Sequence, residues 1–182
     1  MFKNIIGLLR PHDRNSAKLK PKKNNQENLK TINSEKIKQE EYYRSLEIDV
    51  LARTIFGEAR GEPHAGLEAV ANVVLNRVKV AQKRGGRYWW GNNIIGVCQK
   101  PYQFSCWNKN DPSYRRLTTV TDKNVHFATC LRIARRAVIG ALKDNTGGAT
   151  HYHADYVSPY WAKGERPIKT ISRHIFYKLV SV

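Results

Sequence analysis

The 182-residue sequence predicts an α+β chain, helical first and closed by a small antiparallel β-sheet near its C-terminus. Three observations predict it. Apolar residues recur at helical spacing in three stretches between Ile48 and Leu142, strand-like stretches begin only at Ala149, and Gly147-Gly148 separates the two regimes.

Taken in order, residues 11–33 are rich in Lys and Asn, contain Pro11 and Pro21, and hold almost nothing apolar. Such a composition cannot repay its ordering entropy, so a disordered linker is expected. Order is expected from about Ser34, an N-cap type. The chain is therefore divided into a basic, largely disordered segment over residues 1–45 and one domain over residues 46–182. From Ile48, residues Leu51, Ala52, Ile55, Phe56 and Ala59 follow helical spacing until Gly61 and Pro63 stop the helix. A second helix is expected from about Ala65 to Gln82, with Val70, Val73, Val74 and Val78 inward. Residues 84–121 show no clean period and read as loops with short helical turns. Thr121 and Asp122 open a third helix to about Leu142, with Phe127, Leu131, Ala134 and Val138 inward and Gly147-Gly148 as its breaker. Ala149–Ala154, Ile168–Ile171 and His174–Val180 read as strands, the last two joined by a tight turn at Ser172-Arg173.

The formal charge is +17 with pI near 10, which implies an anionic partner: nucleic acid, anionic lipid or an acidic cell wall. Residues 1–47 carry 11 Lys/Arg and 6 Asp/Glu, leaving 21 and 9 for residues 48–182, so the folded part is basic in its own right. No run approaches the roughly 18 apolar residues of a membrane span. The apolar patch within Met1–Arg10 is shorter than a signal h-region and lacks a small-residue cleavage site, so it does not read as a signal peptide. Cys98, Cys106 and Cys130 are too few for a disulfide scaffold. Cys98 and Cys106, in one loop, are expected to be able to pair, with Cys130 a buried thiol.

The stretch Phe56-Gly57-Glu58-Ala59-Arg60-Gly61-Glu62-Pro63 is the most informative. Glu58 falls on the margin of the apolar face near a helix C-terminus. Partial desolvation and the negative end of the helix dipole both favour a protonated carboxyl there, which suits a general acid. A solvated helix-end glutamate would give the same spacing. Glu62 is the obvious second carboxylate, but Pro63 pushes it out of helical geometry, so capping or orienting the turn is expected of it instead. His151 and His153 share one face of their strand, and His174 lies on the next hairpin. With no HExxH or CxxC beside them, substrate or packing contacts are expected rather than a metal site. Trp89, Trp90, Tyr102, Phe104, Trp107, Tyr160 and Trp161 cluster in loops, as sugar-stacking platforms or as caps on a small core.

The stretch around Glu58, followed by Gly66–Val78, then Gln103-Phe104-Ser105, Thr146–His153 and Ile168–Phe176, resembles the SleB/CwlJ-type cell-wall hydrolases, the spore cortex-lytic enzyme family. The likeness covers roughly residues 50–178 in order. It implies a lysozyme-like catalytic domain, a catalytic glutamate at Glu58, and lytic transglycosylase activity on the peptidoglycan glycan strand. It also brings Tyr152 toward Glu58 or the sugar. Gln103, Phe104, Ser105, Trp107, Trp161, Glu62 and the three histidines become substrate-binding or supporting candidates. His151-Tyr152-His153 stands where many members have a run of tyrosines and an asparagine, and no wall-binding module is recognisable before the catalytic part. A general wall-remodelling or lysin-type role is therefore expected over a spore-cortex one.

The expected reaction is cleavage between N-acetylmuramic acid and N-acetylglucosamine, yielding 1,6-anhydromuramyl ends, by a monomer acting at the cell wall without metal or cofactor. Water-based cleavage normally takes a second carboxylate, and Asp111, Asp122 and Asp144 read as turn or cap residues, with Glu165 in a polar loop. The competing readings are a muramidase using Asp155 or Glu62, a zinc amidase using the histidines, and a basic nucleic-acid-binding protein. No nucleic-acid-binding signature supports the last, so no nucleic-acid partner is expected.

Overall fold

The computed structural model describes residues 22–181, with side chains from residue 28 onward. Among the described residues the chain divides into two units, one ending at Gln39 and one beginning at Glu40. The expectations for Met1–Arg10 and for the linker up to residue 21 lie outside the described residues.

Helix α1 spans Lys22–Ala59. It corrects the expectation of disorder up to residue 45: the segment is helical from Lys22. Lys, Gln, Glu and Leu are good helix formers, and a helix already nucleated beyond Ile48 extends at low cost. Residues 28–46 are exposed all round, and burial begins only at Val50.

The second unit is built around α2 (His64–Lys83), whose buried residues span Gly66 to Ala81 and include the polar Asn72, Asn76 and Arg77. Leu51, Ile55 and Phe56 of α1 pack with Val70, Val74 and Val80 of α2 and with Phe127, Ile133 and Ala134 of α5 (Val125–Val138) in one core. The short helices α3 (Ile94–Cys98) and α4 (Tyr114–Thr119) flank it, as does a 3₁₀ turn at Ser105–Trp107. Helix α5 runs over Val125–Val138, shorter than the sequence predicts. Asn124 caps it, its side chain accepting from the His126 and Phe127 amides. At the other end Gly140, at φ +76°, stops it eight residues before the expected Gly147-Gly148 pair is complete. Gly140 N bonds Ala137 O and Ala141 N bonds Arg136 O, the paired bonds of a Schellman ending.

The sheet has the order β1-β3-β2, all antiparallel, from β1 (His151–Ala154), β2 (Lys169–Ile171) and β3 (His174–Tyr177). Tyr152 pairs with Phe176 and His153 with Ile175, so Tyr152, Ala154, His174 and Phe176 share one face. Phe176, with Ala149, packs onto Ala69 and Val73 of α2. No helix among the described residues is long and apolar enough to cross a membrane.

Candidate active site

Helix α1 delivers Glu58 one residue before its end, half-buried and with its carboxylate in a cleft. Two hydrogen bonds orient it. Oε1 accepts from the Cys106 amide at 3.3 Å, and Oε2 accepts from the Tyr152 hydroxyl at 2.9 Å. The first contact needs a glycine at 57, because a Cβ there would lie 2.5 Å from Cys106 Cβ and 2.8 Å from its Sγ. The second needs β1 in register, since Tyr152 points away from the face that carries His151 and His153. Burial, reinforced by the charge and hydrogen bond of Glu58, pushes the Tyr152 hydroxyl well above its ordinary value, so it remains a donor. Burial and Glu58 push the Cys106 thiol up in the same way.

The open cleft, of about 440 Å³, brings together Glu58, Gln103, Ser105, Tyr152, His153 and His174. Asp111 lines it too, although its Oδ1 accepts from the Ser113 amide at 2.8 Å, as a turn residue does. Phe104 is buried and supports the site from the core. Trp107 donates from its indole to Thr54 Oγ1 at 2.9 Å and borders a neighbouring depression. Trp161 and His151 stand outside the cleft, their rings 5.4 Å apart.

Arg77 is the residue the sequence reading missed. It is buried beneath the cleft, donating from Nε to Thr150 O at 2.8 Å and from Nη1 to Gln103 Oε1 at 3.2 Å. Its guanidinium carbon lies 5.4 Å from the Trp90 ring centre and 5.2 Å from that of Phe104. Burial lowers it to about 10, so it stays charged at neutral pH, aided by the nearby Glu58. By occupying Gln103 Oε1 it leaves the Gln103 amide hydrogens to donate elsewhere. In the sequence Arg77 is one of many basic residues on a helix, and no local signal marks it. Cys106, Asp111, Tyr102 and Tyr156 likewise reach the cleft only through tertiary contacts.

Glu62 does hold a turn, but a distant one: its Oε2 accepts from the Arg173 amide at 3.3 Å. Burial alone would raise its carboxyl, yet hydrogen bonds from Ser172 and Arg173 and the charges of His174 and Arg173 outweigh that and lower it. This clamps the β2–β3 turn, where Ser172 takes φ +51°. The turn leads into His174, whose ring meets Tyr152 edge-on at 5.0 Å. Burial lowers His174, against the opposing pull of Glu62, Glu58 and Asp155.

The sheet separates the three histidines. His151 and His153 lie against Trp161, while His174 occupies the opposite face with Tyr152. His153 has both ring nitrogens engaged, Nδ1 with Ala154 O at 2.9 Å and Nε2 with the Tyr177 hydroxyl at 3.0 Å. No cluster of three His, Cys, Asp or Glu suited to a metal ion occurs among the described residues. The cysteines correct the expectation of a Cys98–Cys106 bond: all three are free and buried. Cys98 ends α3 facing the core, and Cys106 is wedged against Gly57.

Residues 61–177 match the family model described as Cell Wall Hydrolase. The chain belongs to that family. Among its cell wall hydrolase relatives, the spore cortex-lytic enzyme of Halalkalibacterium halodurans is 35% identical over 137 residues, 74% of this chain and 35% of that protein. That of Bacillus cereus is 33% identical over 139 residues, 75% of this chain and 46% of that protein. The aligned part is thus less than half the length of these relatives. The fold agrees with the catalytic domain of the Bacillus cereus SleB protein, with TM-score 0.56 and 32% identity over 72% of this chain and 89% of that one. It agrees equally with the catalytic domain of the germination-specific lytic transglycosylase SleB from Bacillus anthracis, with TM-score 0.56 and 30% identity over 72% and 93%. The lysozyme-like α+β architecture expected of this cell wall hydrolase is the one it has.

Proposed function

We propose that the chain cleaves the peptidoglycan glycan strand between N-acetylmuramic acid and N-acetylglucosamine, as a lytic transglycosylase acting at the cell wall. One observation carries the reading: Glu58 stands in an open cleft with its carboxylate aimed by Tyr152 and the Cys106 amide. Protonated Glu58 gives its proton to the glycosidic oxygen as the bond from C1 to that oxygen breaks. The resulting carboxylate then takes the proton of the muramic acid 6-hydroxyl while O6 bonds to C1. No water is consumed, and proximity within one sugar supplies the nucleophile. Gln103, with its amide hydrogens left free by Arg77, offers a donor to the sugar's acyl or hydroxyl oxygens.

The two carboxylates that the sequence offers for hydrolysis both meet Arg173. Glu62 holds the Arg173 amide, and Asp155 lies 3.8 Å from the Arg173 guanidinium. Asp111, on the cleft itself, favours a second reading as a muramidase in which it activates water. Digestion of purified wall separates the two. The expected products are non-reducing 1,6-anhydromuramyl fragments, and reducing muramic acid ends indicate hydrolysis, in which case Asp111→Asn should abolish cleavage. Glu58→Gln should fold and bind wall yet lose cleavage by several orders of magnitude. Residues 1–45, basic in composition, serve wall association in this reading.

A further inference from the structure

A second depression, of about 470 Å³, adjoins the cleft through His153, which lines both. Its walls come from His153 and Tyr177 of the sheet and from Pro159, Tyr160 and Lys163 of the loop that follows β1. One wall is rigid. His153 stacks on Tyr177 at 5.4 Å and is hydrogen-bonded to it, while Trp161 meets both rings edge-on at 5.7 and 5.4 Å. The other wall is open: Tyr160 is 91% exposed, offering a flat ring with no protein surface against it. Lys163 supplies a cation, and among the described residues it forms no ion pair, not even with the neighbouring Glu165.

A built aromatic wall with an unpaired ammonium group suits a ligand that combines an apolar or amide-bearing body with a carboxylate. His153 borders both depressions, which places this one next to the cleft that holds Glu58. We propose that this depression binds the acidic peptide stem carried by muramic acid, with Lys163 pairing a stem carboxylate and Tyr160 covering the peptide. The inference rests on the peptidoglycan reading above and adds to it a choice among substrates: peptide-bearing strands are preferred to denuded ones.

The test uses a probe with no bond for the enzyme to cut, so it is independent of cleavage chemistry. N-acetylmuramoyl-L-alanyl-D-glutamate and its neutral diamide are titrated into the full-length protein by calorimetry, with tryptophan emission as a second readout. The acid form should bind about tenfold more tightly than the diamide, and added salt should narrow that gap. Lys163→Ala should abolish the preference, while Lys109→Ala, on the separate depression that Trp107 borders, and Glu58→Gln should retain it. Equal binding of acid and diamide overturns the proposal. So does a preference that survives Lys163→Ala, or one that is lost in Lys109→Ala instead. Failure of the wall digestion to yield glycan fragments would count against the proposed function and not against this site.

Discussion

Tyr152 donates its hydroxyl hydrogen to Glu58 Oε2 at 2.9 Å, across 94 positions of sequence. The strand thereby aims a carboxylate that the helix merely presents. Tyr152→Phe keeps the ring stacked on Phe176 and against His174, so the fold should survive. Losing one hydrogen bond to a charged group costs about 1.5–3 kcal/mol. Turnover of glycan should fall about 10- to 100-fold, with the melting temperature lowered by several degrees while the protein stays folded. Activity near wild type would show that the hydroxyl does not position Glu58.

Gly57 predicts a paired defect. An alanine Cβ would collide with Cys106 Cβ and Sγ, at 2.5 and 2.8 Å, and also crowd Leu117. Gly57→Ala should cost about 1–3 kcal/mol and move the Cys106 amide off Glu58, lowering both stability and turnover. Adding Cys106→Gly removes the blocking side chain and should restore part of both, measured by denaturant titration and by fragment release. A double variant no better than the single one would place the strain elsewhere.

Asp144 predicts a pH dependence of stability. Burial alone would raise its carboxyl, but hydrogen bonds from the Thr146 hydroxyl and amide, the Gly148 amide and Asn76 outweigh it and hold it low. The folded carboxyl thus sits below the unfolded value of about 3.9. As pH falls, the unfolded chain takes up the proton first. The stabilisation is therefore present above about pH 4 and is lost as pH drops through the folded value. Asp144→Asn should cost about 1–3 kcal/mol at pH 7, and the gap from wild type should shrink below pH 4 in thermal melts.

His151 should give a second, separate acid window. Burial and then Arg77 pull its ring down to about 4. Between an unfolded value of about 6.5 and 4 the unfolded chain binds the extra proton, so stability falls as pH drops through that interval and levels off below it. In His151→Phe the melting temperature should be flatter between pH 6.5 and 4. An unchanged slope would refute the assignment.

The thiols offer a direct count. With Cys98, Cys106 and Cys130 all free and buried, a thiol reagent should react slowly with native protein and find three thiols after denaturation without reductant. A count of one would mean that Cys98 and Cys106 had paired.

What was legible in the sequence was whatever repeats locally. The apolar spacing around Leu51 and Ile55 located the end of α1, and with it Glu58. Strand alternation separated Tyr152 from His151 and His153. What was not legible depends on distance. Arg77 looks like any helical arginine until Thr150 O and Gln103 come to it from 73 and 26 positions away. Placing His174 with Tyr152 required the β1–β3 register, which no single strand carries. Gly140 ended α5 before Gly147-Gly148 because a left-handed residue terminates a helix wherever it first falls. The extension of α1 to Lys22 was hidden because a polar composition suits an exposed helix as well as it suits disorder.

The sheet order β1-β3-β2 leaves β2 as an outer strand of only three residues. An unpaired strand margin is a template on which further chains can add. Here it is short, and its first two residues, Lys169 and Thr170, are exposed. A lysine on so short a margin repels an identical neighbour and gives few backbone groups to pair. The protein is thereby protected from self-association through this margin, and replacing Lys169 with valine should promote aggregation on storage at high concentration.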